Sequence, residues 1–298
     1  MFPVIRVSFE ETDRADFTRT KDVQILALTH VFDNPNWFYN FHSHDAAAEV
    51  IYIQSGHGTY TLDNMSYSAS AGNLIVINPG VIHSLASDAQ DALNAWTLTV
   101  TRFSLPGLAP NQVISPGAYP LMRLGSLADC FYQNFALILE QHQRHNANFT
   151  EIAHAAATTL LFLSNQLAGS NIKAEQKRGS KEALQRNSFA LEVIAFIDKH
   201  FREPISLEML SDVFHISAGH ISHALTNECG ISPINYLISR RIGEAQWLLL
   251  TTELSVGDIA LYVGYDNTYH FSKLFSKRIG MRPQDFRTKF KAVSEKER

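Results

Sequence analysis

The sequence predicts an α+β protein in two parts: an N-terminal barrel of short strands with an αα-hairpin, followed by an all-α domain with two helix-turn-helix motifs. Three observations carry this. Residues 23–103 are short β-rich runs broken by Gly, Asn and Asp; residues 126–168 show apolar positions at helical spacing; and one helical design occurs twice near the C-terminus, about fifty residues apart.

The strand candidates of the barrel are residues 24–32, 48–54, 57–62, 72–77 and 95–101, with Asp63-Asn64 and Asn78-Pro79-Gly80 as turns. These runs favour extended backbone, and the residues between them accept turn dihedrals. Short, regularly spaced strands close into a sandwich or jelly roll.

Residues 126–145 place Leu127, Phe131, Phe135, Ile138 and Leu139 along one helix, and residues 149–168 place Ile152, Leu160, Leu163 and Leu167 along a second. The two form an αα-hairpin. The following stretch GSNIKAEQKRGSKEALQR, residues 169–186, is polar and has little apolar pattern, so it reads as a linker. The expected domains are therefore 1–168, the linker 169–186, and 187–298.

The duplicated unit runs SLEMLSDVFHISAGHISHALTNECGISP over residues 206–233 and SVGDIALYVGYDNTYHFSKLFSKRIGMRP over residues 255–283. Ser206 aligns with Ser255 and Leu210 with Ile259. After one extra residue in the second turn, Ile221 aligns with Phe271, Leu225 with Phe275, Gly230 with Gly280 and Pro233 with Pro283. Each Ser suits a helix N-cap, because its hydroxyl accepts from the free N–H groups of the first turn. Each Gly suits a left-handed C-cap. Pro233 opens a helix to about Leu250 that bridges the two units. A plain helical bundle would account for one copy; two copies in register favour helix-turn-helix pairs, whose second helices enter a DNA major groove.

On these residues the last hundred positions resemble the DNA-binding domain of the AraC/XylS family of transcription regulators. The most specific match is ELSVGDIALYVGYDNTYHFSKLFSKRIGMRPQDFR, residues 253–287. RRIGEAQWLLL, residues 240–250, fits the bridging helix, with Arg241 and Ala245 at the family's usual Arg and Ala. The resemblance implies a seven-helix domain whose two recognition helices bind successive major-groove turns of a double-stranded operator. The start of the second recognition helix offers Thr268, Tyr269, His270 and Lys273 to base edges. By similarity the first offers Gly219, Ser222, His223 and Thr226. Arg240, Arg241, Lys277 and Arg278 complete the expected DNA-contacting set. The chain departs from the family at Leu225, where an aromatic is common, and at Thr226 and Asn227, where basic residues are common.

Charge supports DNA binding only locally. The chain carries a net −4, with −5 over residues 1–180 and +1 over residues 181–298. Residues 273–291, however, hold Lys273, Lys277, Arg278, Arg282, Arg287, Lys289 and Lys291 against Asp285 alone. Such a cluster neutralises phosphates and makes affinity salt-dependent.

In the barrel, His42-x-His44, Glu49 and Gly56 resemble the first cupin motif, and Pro79-Gly80-x-x-His83 a shortened second one, so the barrel is expected to be cupin-like. Cupin enzymes use three His and a carboxylate to hold Fe or Mn, whereas AraC-type barrels bind a small effector, commonly a sugar, without metal. The expectation is therefore no cofactor, with a divalent metal at His42, His44, Glu49 and His83 as the alternative. The effector pocket is assigned to Trp37, Tyr39, His42, His44, Glu49, Tyr52, His83 and Trp96, which suit stacking and hydrogen bonding to a carbohydrate.

The expected function is a non-enzymatic, effector-controlled transcription factor, with RNA polymerase as a further partner if it activates; the resemblance further implies a homodimer through the hairpin and an arm, the residues before Val23, over the pocket. The alternative is a metal-dependent cupin enzyme fused to a DNA-binding module, and a third class is a constitutive architectural DNA binder. Cys130 and Cys229 fall in different domains, which points away from a disulfide and toward a reducing cytoplasm. The N-terminus lacks a signal-like apolar run and no stretch is long enough to span a bilayer, so no membrane association is expected.

Overall fold

The structure, a computed structural model, describes residues 4–8, 23–32, 34–35, 37–63, 65–144, 148–175 and 188–291. The chain forms two compact units. The first contains one sheet, most of a second, and a helical hairpin. One sheet has six strands, in the order β1 (Val4–Ser8), β2 (Gln24–Val31), β9 (Asn94–Thr101), β4 (Ala48–Ser55), β7 (Asn73–Ile77) and β10 (Leu121–Arg123). The other has four, in the order β3 (Phe38–His42), β8 (His83–Ser87), β5 (His57–Leu62) and β6 (Met65–Ser70). The hairpin consists of α1 (Ala128–Arg144) and α2 (Phe149–Glu175).

Strand β4 is central to the first sheet, antiparallel to β7 and β9, with Glu49 opposite Thr99 and Tyr52 opposite Trp96. Successive side chains of a strand point to opposite faces, and β4 separates two cores accordingly. Ala48, Val50 and Tyr52 pack with Trp96, Leu98 and Val100 against Phe131, Phe135 and Leu160 of the hairpin. Ile51 and Ile53 pack with Ile75, Ile77, Tyr60, Leu62 and Tyr67 between the two sheets. Burying a side chain of this size stabilises by about 1.5–3 kcal/mol, so the alternation fixes the register.

Five strands lie where no strand was expected. β6 (MSYSAS) and β8 (HSLAS) are small and polar, β3 (FYNFH) and β10 (LMR) are short, and β1 occupies part of the expected arm, pairing Val4 with Val31 through Ser8 with Ala27. The rest of the arm, residues 1–3 and 9–22, lies outside the described residues. Helix α2 continues to Glu175, beyond the expected end at Ala168 and into the segment read as linker. Of that segment, residues 176–186 lie outside the described residues.

The second unit contains seven helices among the described residues: α3 (Ser188–His200), α4 (Leu207–Phe214), α5 (Ala218–Cys229), α6 (Pro233–Thr251), α7 (Val256–Tyr262), α8 (Thr268–Ile279) and α9 (Pro283–Lys291). The two expected units are α4–α5 and α7–α8, and their caps repeat. The Ser206 hydroxyl accepts from Met209 N, and Ser255 forms a reciprocal capping box with Asp258. Gly230 and Gly280 close α5 and α8 at φ 73° and 79°. Ile221 and Leu225 join a core with Val193, Ile197, Leu210 and Tyr236. The rings of Phe271 and Phe275 meet at 5.8 Å, tilted by 56°, and Phe275 meets Phe286 at 5.6 Å.

The turn of the second unit depends on Gly264. It has φ 91°, and a Cβ there would lie 2.5 Å from the Arg202 carbonyl oxygen and 2.9 Å from Arg241 Nη2. Gly264→Ala should therefore lower the stability of the helical domain by about 1–3 kcal/mol, read as a lower urea midpoint at unchanged slope; a midpoint within error of the parent would contradict the tight approach.

Candidate functional site

Two places in the molecule gather the expected site residues: the surface of α5 and α8, and the interior between the two sheets. On α8 the N-cap Asn267 accepts from His270 N, which starts the helix so that Phe271 and Phe275 turn inward. Thr268, Tyr269, His270 and Lys273 consequently face solvent, Tyr269 at 78% exposure. A large aromatic left this open gains nothing from the core, which leaves it available to a partner surface. On α5, capped by Ser217, Gly219, His223 and Thr226 are exposed and Ser222 is half-buried. The Thr226 hydroxyl donates to Ser222 O at 2.7 Å, and Asn227 bonds His223 at 3.1 Å, so part of the polarity of this face is already paired along the helix. The exposed His220, three positions before His223 and with its ring 5.8 Å from that of Phe189, was not among the expected residues; that spacing is the signal for it.

The expected contacts from Arg240 and Arg241 are corrected by the structure. Arg240 is 4% exposed, donates to Glu244 at 2.8 Å and lies over the Phe201 ring. Arg241 is 8% exposed, donates to the carbonyls of Phe201 and Glu203 at 2.6 and 2.7 Å, and covers the Tyr265 ring. Both guanidiniums hold α6 to its neighbours inside the domain. Arg287, counted with the basic cluster, likewise donates to Leu249 O and Leu254 O past the end of α6. Lys273, Lys277, Arg282 and Lys289 remain exposed, and Arg278 reaches the Asn235 side chain at 2.6 Å.

Between the sheets, His42, His44, Glu49 and His83 are all buried, and one ligand-capable atom from each lies within 4.8 Å of the others. Glu49 is the hub. His44 Nε2 lies 3.1 Å from its Oε1, His83 Nε2 lies 3.4 Å from its Oε2, and the Thr99 hydroxyl donates to Oε1 at 3.1 Å. Burial pushes the Glu49 carboxyl up, but the hydrogen bonds and charge of His44 and His83 overcome it and hold it well below the usual carboxylate range. Burial, and then the Glu49 charge, push the Tyr60 phenol up. Tyr60 is therefore a protonated donor in the interior, and nothing among the described residues accepts from its hydroxyl. Thr99 and Tyr60 were not expected in the site. Thr99 was legible in principle as the cross-strand partner of Glu49.

The expected pocket residues divide by face. Tyr39 is buried with its ring 4.4 Å from that of His42, and Trp37 is buried just before β3. Tyr52 and Trp96 do not line this interior, which corrects their assignment to the pocket. They lie on the opposite face of the sheet, 6.5 and 6.0 Å from Phe135 of α1, and Trp96 also stacks on His30 and donates to Gln54. The reason is the period of two: Tyr52 lies three positions after Glu49, an odd step, so both cannot face inward.

No helix among the described residues is long and apolar enough to cross a membrane. A family model described as an AraC-like ligand binding domain matches residues 27–157, and one described as a helix-turn-helix domain matches residues 210–289. The chain is 34% identical to the uncharacterized HTH-type transcriptional regulator YdiP of Escherichia coli strain K12, over 87% of this chain and 84% of that protein. It is 25% identical to the HTH-type transcriptional activator RhaS of Escherichia coli O157:H7, over 86% of this chain and 88% of that one. Among solved structures it is similar to the C-terminal domain of AraT, a response regulator from Geobacillus stearothermophilus, at 34% identity over 35% of this chain and 86% of that chain, with a TM-score of 0.34.

The burial of Arg241 separates two roles experimentally. Arg241→Ala leaves two backbone carbonyls without their donor and should cost about 2–3 kcal/mol of domain stability. Affinity for DNA, corrected for the folded fraction, should keep its salt slope; a slope reduced by about one would instead make Arg241 a phosphate contact.

Proposed function

Because the chain belongs to the AraC family of DNA-binding, helix-turn-helix transcriptional regulators, we propose that its N-terminal unit controls transcription in response to a small polar effector, of carbohydrate character, held between the two sheets. The observation that carries the reading is the buried polar group at Glu49: hydrogen-bonding side chains gathered in a dry interior lined otherwise by apolar residues, the composition of a small-molecule site. Tyr60 supplies a further inward donor. The relatives are transcriptional regulators, and the cupin-enzyme alternative draws no support from them.

The DNA-binding side of the reading rests on the two recognition helices. α6 joins the units and, at 19 residues, is about 28 Å long at ~1.5 Å per residue. That length favours a separation of the two reading heads near one turn of B-DNA, ~34 Å. Tyr269, His270 and Thr268 are the base-reading group of α8, with Gly219, His220, Ser222 and His223 the weaker group of α5. Lys273, Lys277 and Arg278 serve phosphates.

The hairpin supports a homodimer, since Tyr132 of α1 and Phe162 of α2 remain exposed. RhaS, a transcriptional activator, favours activation here as well, with RNA polymerase as the further partner. The place of action is the cytoplasm.

Two measurements test this. On fragments from the surroundings of its own gene, Lys273→Ala should weaken binding alike on all sequences and reduce the salt slope by about one, whereas His270→Ala should cost about 1–3 kcal/mol on the preferred site only. Equal effects of both on specific and random DNA would remove α8 as the reading helix. In a screen of sugars and related polyols, an effector should raise the melting temperature and change operator affinity or half-site spacing; a compound set that binds the barrel without altering either would leave the DNA-binding domain uncontrolled.

A further inference from the structure

We propose that the N-terminal barrel binds one divalent first-row transition-metal ion through His42, His44, Glu49 and His83. The inference rests on the reading of this interior as the ligand site, and adds what the site is built to hold.

Three histidines and one carboxylate converge in a buried space, with one ligand-capable atom from each inside 4.8 Å. Around an ion with bonds of about 2.1 Å, neighbouring ligand atoms lie about 3.0–3.4 Å apart, so each atom here needs an inward shift of less than about 1 Å. Imidazole nitrogen with a single carboxylate suits Fe, Ni, Cu and Zn rather than Ca or Mg.

The hydrogen bonds behind the rings say more. His42 Nδ1 lies 2.9 Å from Asn40 O, and His83 Nδ1 lies 2.9 Å from Val81 O. A carbonyl oxygen only accepts, so in both rings Nδ1 carries the hydrogen, and in the neutral form Nε2 presents a lone pair. For His83 that lone pair is directed at Glu49 Oε2, 3.4 Å away. Two acceptors facing each other in a dry interior need either a proton on Nε2 or a cation between them, and a metal ion is the cation that this set of side chains can hold. A ring whose outer N–H is fixed on a backbone carbonyl is also how metal-ligating histidines are oriented, and carboxylate ligands are themselves hydrogen-bonded. Thr99 does this for Glu49. A metal ion accounts for these features together: it replaces the proton shared by His44 Nε2 and Glu49 Oε1, neutralises Glu49, takes the Nε2 lone pairs of His42 and His83, and leaves further coordination positions. Those positions suit an effector with paired oxygen donors, as in a vicinal diol or a hydroxy acid.

The test uses the full-length, untagged protein, stripped with a chelator and titrated with Co2+ and Zn2+. One equivalent per chain, visible absorption bands of low-coordinate Co2+, and a rise in melting temperature are expected. His83→Ala and Glu49→Gln should each weaken binding by more than about tenfold, and Thr99→Val, which keeps the fold by shape, by about tenfold. No stoichiometric ion on folded wild-type protein overturns the proposal, as does an ion retained unchanged in both ligand variants. Operator binding measured on the same samples keeps the two readings apart: loss of metal binding with intact, effector-sensitive operator binding sinks the metal site alone, and intact metal binding without specific DNA binding sinks the regulator alone.

Discussion

The register of β4 between β7 and β9 is the constraint on which the N-terminal unit depends. A slip of one residue would turn Glu49 out of the interior and drive Val50 and Tyr52 into it, exchanging the polar site for apolar bulk and placing a carboxylate against the hairpin. The apolar residues on both faces make such a slip expensive. The chemistry of the site is thus protected by the packing of side chains that never touch it. A buried carboxylate is tolerated only with donors or cations at hand, and the strands that bring Thr99, His44 and His83 to Glu49 are ordered by that same register.

In the helical unit the corresponding element is α6. Its buried polar residues are employed in fixing neighbours rather than in reaching outward. Arg241 ties α6 to the end of α3 and covers Tyr265 of the second turn, while Gly264 leaves room for that approach. The two helix-turn-helix units are therefore set by one helix whose charged side chains lie inside. The exposed cations belong to α8 and its surroundings, and α5 presents mostly neutral groups. The two units share a framework but differ in charge, so in the proposed DNA complex the second would supply more of the electrostatic attraction and the first mainly shape and hydrogen bonding.

Much of this was legible in the sequence, because capping residues and apolar spacing act locally. Ser206, Ser255, Gly230 and Gly280 each perform the role their residue type suggests, and the five apolar strands were recognisable by their composition. The strands that escaped notice, such as β6 and β8, are small and polar, and take extended form because a neighbour supplies the hydrogen bonds rather than because their side chains favour it. The roles of Arg240, Arg241 and Arg287 were hidden for a different reason. A guanidinium suits phosphate and backbone carbonyl equally well, and only the fold decides which it meets. The misplacement of Tyr52 and Trp96 was avoidable, since counting by twos from Glu49 already sends Tyr52 to the far face.

Strand β1 lies at the margin of the six-stranded sheet, where Val4–Ser8 pairs with β2. It therefore covers the backbone N–H and C=O groups along one side of β2 that would otherwise stand open as a template for another chain. Removing those few residues to shorten the protein for crystallisation or expression would uncover an adhesive border. The consequence is one of solubility: a trimmed protein would acquire a tendency to join edge to edge with its own copies.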